Sequence, residues 1–292
     1  MINCSFECGV FPDFLKLSVV KPLHKKGSLD DLDNFRPISI TSTFSKVFER
    51  AVLNRLWSFI NHNSILCKNQ FGFVRGGSTI NAMFTLLDKV VKALDRGRSA
   101  SGVFFDLRKA FDMVSHDILL GKLENIGVRG VANQWISSYL RERRQAVEVS
   151  FINLEGTRRK CFSDVLIVRA GVPQGSILGP LLFLLYINDL RGSVTEAQLC
   201  LFADDTSIIV ENQCRDAMEI STFVESNMIV QWFKENGLVV NAAKTALLDF
   251  AITSTKYCDN LSVSVDGVDV FSEHHVTFLG LSIDRNLNFS SH

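Results

Sequence analysis

Residues 199–210, LCLFADDTSIIV, constrain the chain more than any other stretch: two apolar runs flank a pair of adjacent carboxylates. Val, Ile, Leu and Phe on both sides of a short polar break predict two strands joined by a tight turn, with Asp204 and Asp205 at its tip. Two acids at the end of buried strands repel each other and tend to take up a proton unless a cation neutralises them. Asp-Asp is also an ordinary turn pair, and a solvated turn is the plain alternative. A second acidic segment shifts the balance. In residues 101–112, SGVFFDLRKAFD, Asp106 directly follows an apolar run, where a half-buried strand gives way to a helix-like pattern. With the two strands side by side, Asp106 faces the Asp204–Asp205 tip. Three carboxylates around one point can hold two magnesium ions about 4 Å apart, the arrangement that activates a hydroxyl and stabilises a leaving group in phosphoryl transfer.

Composition permits this reading without requiring it. At 292 residues, 47% hydrophobic and 21% charged, the chain is long enough for one large domain or two subdomains with a core. Residues 1–10 show neither the basic start nor the small-residue cleavage pattern of a signal peptide. The longest apolar run, residues 177–187, contains Gly179 and Pro180 and falls short of the roughly 20 residues of a spanning helix. The expectation is a soluble protein with no membrane partner.

Seven scattered cysteines do not form a secreted disulfide framework and read as reduced intracellular thiols. Cys4 and Cys8 lack the second Cys or His pair that a zinc site needs. His274 and His275, as strand neighbours, would point to opposite faces, and neither reads as a ligand. The zero net charge hides a division: residues 1–160 carry 24 Lys and Arg against 15 Asp and Glu, and residues 161–292 carry 7 against 16. A basic half and an acidic, cation-demanding half suit a protein that grips polyphosphate and performs metal chemistry, although surface variation alone can give the same division.

Along the chain, residues 15–23 read as a strand, followed by a basic turn, a polar loop and Phe35-Arg36-Pro37-Ile38, whose proline favours extended backbone at Arg36. Lys25 and Arg36 thus lie on facing arms of a strand-loop-strand unit, a basic flap able to close over a triphosphate or simply solvated. An amphipathic helix is predicted over 41–61, with Phe44, Val47, Phe48, Ala51, Leu56 and Phe59 on its apolar stripe. Residues 69–81 form a glycine-punctuated loop, without the lysine and spacing of a P-loop, leading into a helix over 79–94 capped by Ser78 or Thr79. Helices follow over 116–125 and 132–141. A basic cluster (Arg141, Arg143, Arg144) then precedes a strand pair, 145–151 and 165–170, with 153–160 as a polar connection.

Residues 171–180, GVPQGSILGP, are turn chemistry around one polar side chain, Gln174, and lead into a buried helix over 181–190. Past the acidic hairpin, a helix over 214–236 carries Ala217, Ile220, Val224, Met228, Ile229 and Trp232 on its packed stripe and stops at Gly237. Strand 246–250, a hairpin at Asp266-Gly267 and a last strand over 276–283 complete the pattern.

In this order the stretches KPLHKK (21–26), NFRPI (34–38), QFGFVRGGST (70–79), FDLRKAFDMV (105–114), GVPQGSILGP (171–180), FADD (202–205), WFKENGLVVNAAKT (232–245) and FLGLSI (278–283) resemble the reverse transcriptase domain of non-LTR retrotransposons, in particular the jockey-like group. The resemblance covers most of the chain. It implies an α+β right-hand polymerase with fingers over 1–98 and a palm over 99–292. The palm's antiparallel sheet packs on helices; it carries a fingers-like insertion near 125–170 and ends at a primer-grip hairpin, with the thumb absent.

Asp106, Asp204 and Asp205 are then similar to the metal-binding catalytic carboxylates, with the carbonyl of Leu107 as an extra ligand. Lys25 and Arg36 resemble the finger residues on the triphosphate. Phe111 resembles the bulky residue that excludes a ribose 2′-hydroxyl, with a packed core aromatic as the alternative. Gln174 and Gly175 resemble the loop along nucleotide and template, Lys244 a proton donor to pyrophosphate, and Leu279-Gly280 the primer grip. The implied activity is RNA-directed DNA synthesis with two Mg²⁺ ions (Mn²⁺ able to substitute) on an RNA template, a DNA primer and dNTPs. Weak, poorly processive synthesis and residence in nucleus or cytoplasm are expected. The alternative is a non-catalytic nucleic-acid-binding remnant of a retroelement.

Overall fold

The computed structural model describes residues 1–25, 27–153, 155–251 and 261–289; Lys26 of the basic motif, Leu154 of the connection and Cys258 lie outside the described residues. The helices in chain order are α1 (Ile2–Cys8), α2 (Thr43–His62), α3 (Thr79–Asp95), α4 (His116–Asn125), α5 (Val131–Leu140), α6 (Gly179–Ile187) and α7 (Arg215–Glu235). The strands are β1 (Leu17–His24), β2 (Phe35–Ile40), β3 (Ser99–Phe105), β4 (Arg144–Ile152), β5 (Arg158–Phe162), β6 (Leu166–Ile167), β7 (Gln198–Phe202), β8 (Asp205–Asn212), β9 (Ala246–Phe250), β10 (Ser262–Val265), β11 (Val268–Glu273), β12 (His275–Phe278) and β13 (Leu281–Asp284). They belong to two compact units, one formed by Met1–Ile65 with Phe111–Tyr186, the other by Leu66–Ala110 with Ile187–His292.

The first unit is built on a sheet of order β2-β1-β4-β5, with β6 also paired to β4. β1 and β2 form the expected antiparallel arms, with Leu23 opposite Arg36. The connection read as a polar loop contains a strand: β5 pairs with β4 from Glu148↔Phe162 to Ile152↔Arg158, and β6 takes only Arg144 and Gln145. Asn153 closes that hairpin, its side-chain oxygen accepting the N–H groups of Glu155 and Thr157. Such an Asx turn lets a charged, exposed run pair as an edge ribbon.

Helix α2 starts at Ser42, whose hydroxyl accepts the Phe44 N–H. Its buried face corrects the apolar stripe. Phe44 is 72% exposed and Val47 48%, while Ser45 and Glu49 are buried beside Phe48, Leu56 and Ile60. Apolar periodicity misplaced the face because these two polar residues bond each other and loop amides, which makes their burial tolerable.

The second unit holds a six-stranded sheet of order β10-β11-β9-β3-β8-β7, antiparallel across β9-β3-β8-β7 and parallel between β11 and β9. Ala100 and Phe104 of β3 face a core shared with Ala82, Leu86 and Val90 of α3. Ser101, on the opposite face, hydrogen-bonds Thr222 of α7 at 2.6 Å, so the two helices cover the two faces. In α7, Ile220 and Val224 of the expected stripe are exposed. Thr222, Glu225 and Ser226 are buried instead, Glu225 accepting the N–H groups of Thr195 and Glu196. Asp266-Gly267 turns β10 into β11 with both residues at positive φ, as the sequence predicts. Residues 276–283, read from their residues as one strand, fold as the β12–β13 hairpin, turning at Leu279 (φ 48°) and Gly280 (φ 87°). Among the described residues no helix is long and apolar enough to cross a membrane.

The corrected face of α2 is testable by chemical denaturation. Phe48→Ala is expected to cost about 3–5 kcal/mol, and Phe44→Ser to change stability by less than about 0.5 kcal/mol; equal losses would contradict the assignment.

Candidate active site

The carboxylates are placed by strand register. β3 pairs with β8 through seven residue pairs from Ser99↔Asn212 to Phe105↔Thr206, so one further step sets Asp106 across from Asp205. β7 pairs with β8 out to Phe202↔Asp205, which leaves Ala203 and Asp204 as the two-residue turn. Asp204 therefore sits at the tip, and Asp205 is the first residue of β8.

The turn needs support, because Ala203 adopts φ 58°. Gln70 supplies it. Its side-chain oxygen accepts the N–H groups of Ala203 (3.0 Å) and Gly72 (2.8 Å), and the flanking backbone joins β7 through Phe71 N–H to Leu201 O and Leu201 N–H to Asn69 O. Gly72 lies so close to Ala203 that a β-carbon there would overlap the Ala203 amide. The loop read from glycine content alone is thus a buttress for the acidic turn. No local signal marks Gln70, since its partner lies 133 residues away.

Asp106 is held from the other side. Asn241 donates its backbone N–H to the Asp106 carbonyl (2.7 Å) and its side-chain amide to Asp106 Oδ2 (3.0 Å). Leu107 forms an isolated antiparallel bridge with Val240, and the two bonds that flank it are made by the neighbours at 106 and 108, not by the Leu107 carbonyl. Asn241 thus fixes the orientation of one carboxylate oxygen, a contact the sequence did not single out.

Asp106 and Asp205 line a cleft of about 320 Å³ together with Thr206, Lys244, Glu273, His275 and Leu279. Solvent reaches Asp205, but the cleft walls hydrate it poorly. This desolvation, followed by the charges of Asp204 and Asp106, pushes its pKa up to about 6. His275 and Glu273 enter here although the sequence read neither as functional. The end of β11 and the start of β12 bring them to the cleft, a placement that strand alternation cannot show.

Among the described residues no three His, Cys, Asp or Glu side chains are already closed around one point as a metal-ligand set. The donor chemistry nevertheless fits a hard divalent cation: the oxygens on offer are carboxylates, and a cation would favour the ionised form of Asp205, which desolvation first and the charges of Asp204 and Asp106 next disfavour.

The remaining sequence-derived residues belong to the first unit. Lys25 is exposed one residue past β1, with its N–H on the Asn34 carbonyl, and Arg36 is exposed on β2. Phe111 is half-buried and stacks on Phe183 with ring centroids 4.5 Å apart. Gln174 accepts the Ser39 N–H at 2.7 Å. Gly175, at φ 114°, faces the Ser39 carbonyl so closely that only glycine fits. Behind Gln174 is a cavity of about 440 Å³, lined also by Ser39, Gln145 and Arg143, which is 2% exposed.

Residues 23–283 match the family described as reverse transcriptase (RNA-dependent DNA polymerase). The chain belongs to the reverse transcriptase family. Its curated relatives include the probable RNA-directed DNA polymerase from transposon BS of Drosophila melanogaster, 30% identical over 99% of this chain and 32% of that protein. The probable RNA-directed DNA polymerase from the X-element of the same organism is 31% identical over 100% and 31%. The RNA-directed DNA polymerase from mobile element jockey, also from Drosophila melanogaster, is 29% identical over 100% and 31%. This reverse transcriptase chain therefore spans about a third of the length of the curated relatives it matches. Among solved structures, apo telomerase from Candida tropicalis superposes with a TM-score of 0.59 at 14% identity, covering 94% of this chain and 48% of that one. The fold is accordingly the fingers-and-palm fold of right-hand polymerases, as the α+β reading expected. Reverse transcriptases use divalent metal ions.

The raised Asp205 pKa gives metal-free protein a pH signature. The unfolded chain releases this proton near the ordinary carboxylate value and the folded chain only near pH 6, so the folded state binds more protons in between. Stability is expected to fall as pH rises from about 4 to about 6, and Asp205→Asn to flatten that slope. Denaturation midpoints with a chelator present measure it; an unchanged slope in the variant would contradict the assignment.

Proposed function

We propose that this reverse transcriptase domain transfers deoxynucleotides from dNTPs to a DNA primer on an RNA template, using two Mg²⁺ ions for which Mn²⁺ can substitute. The observation that carries this reading is the register that sets Asp106 across from Asp205 in a cleft that also holds Lys244 and Leu279, with Asp204 in the adjoining turn. In this reading the fingers are residues 1–98 and the palm residues 99–292 with the insertion near 125–170, and the protein works in nucleus or cytoplasm.

Asp106, Asp204 and Asp205, with the Leu107 carbonyl, would hold the divalent ions. When bound, these supply the Lewis acidity that lowers the pKa of the primer 3′-hydroxyl and offset charge on the phosphate. The chain's own residues do the rest by positioning. Asn241 holds the Asp106 carboxylate through Oδ2, which leaves Oδ1 to a ligand. Lys25 and Arg36 present two cations to the triphosphate from adjacent arms of one hairpin. As the 3′-oxygen gives up its proton to solvent and bonds to the α-phosphorus, the bond from that phosphorus to the oxygen it shares with the β-phosphate breaks, and Lys244 protonates that oxygen as pyrophosphate leaves. The Leu279-Gly280 turn supports the primer end, and Gln174 and Gly175 line the nucleotide and its template base. Base choice comes from pairing, and the nucleic acid is held through its phosphates, so affinity falls as salt rises.

Primer extension on poly(rA)/oligo(dT) with dTTP and Mg²⁺ tests the reading. Template-dependent incorporation is expected, reduced on the order of a hundredfold or more in Asp204→Asn. RNA binding without incorporation at high enzyme concentration would instead support a non-catalytic nucleic-acid-binding remnant. Phe111→Ala is expected to admit ribonucleotides with dNTP use largely kept, as measured by competing rUTP against dTTP. Unchanged discrimination would leave Phe111 as packing for Phe183.

A further inference from the structure

Glu49 is a fully buried carboxylate, 0% exposed, on a helix that carries none of the residues discussed so far as functional. Its Oε2 accepts the backbone N–H groups of Ile177 (2.7 Å) and Leu178 (3.2 Å), and Ser45, one turn earlier on α2, donates its hydroxyl to Oε1 (2.8 Å). The simplest account is a cap for α6, but α6 already has one. Ser176 Oγ accepts the Gly179 N–H at 2.9 Å and donates to the Pro173 carbonyl at 2.8 Å. Glu49 instead reaches the loop between Gly175 and the helix.

That loop is tied elsewhere too: Gly171 N–H to the Val114 carbonyl, Val172 N–H to the Phe111 carbonyl, and the Gln174 carbonyl to the Ser39 N–H. These fix its start and middle, and Glu49 fixes its end. An apolar side chain in the same space would leave the Ile177 and Leu178 N–H groups without this acceptor, so the carboxylate is what ties them. What it adds is direction, because two N–H groups must converge on one oxygen. Tyr139 and Arg143 complete the polar surroundings. The phenol of Tyr139 is pushed upward by burial and next by Glu49, and the Arg143 guanidinium stacks over its ring at 4.9 Å.

We propose that Glu49 is a positioning residue for the nucleotide side of the site, acting through the Gln174–Gly175 loop that it anchors at Ile177 and Leu178. The proposal rests on the polymerase reading, which places Gln174 and Gly175 against the incoming nucleotide. Glutamine can keep the anchor, with its amide oxygen on the two N–H groups and its amide nitrogen donating to the Ser45 hydroxyl; alanine cannot.

The test compares Glu49→Ala, Glu49→Gln and Gln174→Ala in the full chain by primer extension, primer-template binding, and amide hydrogen exchange over residues 174–178. In Glu49→Ala the KM for dTTP is expected to rise about tenfold or more, with primer-template affinity within about twofold. Exchange should rise at 174–178 without rising across the unit, and Glu49→Gln should restore both. Should Glu49→Ala fail to fold, Ser45→Ala, which releases the carboxylate without emptying its space, is expected to show the same pattern in weaker form.

An unchanged KM for dTTP in a folded Glu49→Ala, while Gln174→Ala raises it, would overturn the proposal and leave the polymerase reading intact. Exchange raised uniformly, or no rescue by glutamine, would also overturn it. A wild-type chain that uses no dTTP would sink the polymerase reading, whereas loss of protection confined to 174–178 in Glu49→Ala would still support the anchor.

Discussion

The repulsion between carboxylates that strand pairing forces together is the constraint on which the second unit turns. Seven consecutive pairs between β3 and β8 bring Asp106 opposite Asp205, and slipping that register by one residue would send every side chain of β3 to the other face. Desolvation in the cleft, followed by the charges of Asp204 and Asp106, pushes the Asp205 pKa up to about 6. A fold selected for stability alone has no reason to keep such an arrangement. In the proposed reading it becomes favourable when cations occupy the cleft, whose carboxylates strand pairing has brought together.

Contacts from distant segments hold the arrangement in place. Gln70 takes the amide of Ala203 in a turn whose backbone an alanine adopts only under constraint, and Asn241 takes Asp106 through both backbone and side chain. Each comes from a stretch that also matches the family pattern, one in 70–79 and the other in 232–245. The physical content of those motifs therefore includes support for the acids.

The strands around Asp106 and Asp204–Asp205, the bounds of α4 and the Asp266-Gly267 hairpin were legible because apolar runs, caps and turn residues act locally. Buried polar faces were not. Glu49 on α2 and Glu225 on α7 occupy core positions that a hydrophobic pattern assigns elsewhere, and their compensating N–H groups lie 128 and about 30 residues away. β5 was hidden for the opposite reason: it is exposed along its whole length and carries no apolar alternation to betray it. Of the residues that line the cleft, Asp106, Asp205, Lys244 and Leu279 stand out in the sequence, whereas His275 and Glu273 reach it through the order in which β9, β11 and β12 are assembled. The zero net charge conceals a basic first half and an acidic second half, a division visible only along the chain.

The most direct test of the central claim is to locate Mn²⁺ by anomalous diffraction in crystals of the chain with primer-template and a non-hydrolysable dNTP analogue. A peak coordinated by carboxylate oxygens of Asp106 and the Asp204–Asp205 pair is expected, absent from Asp106→Asn. Mn²⁺ bound elsewhere with these three side chains unliganded would contradict it.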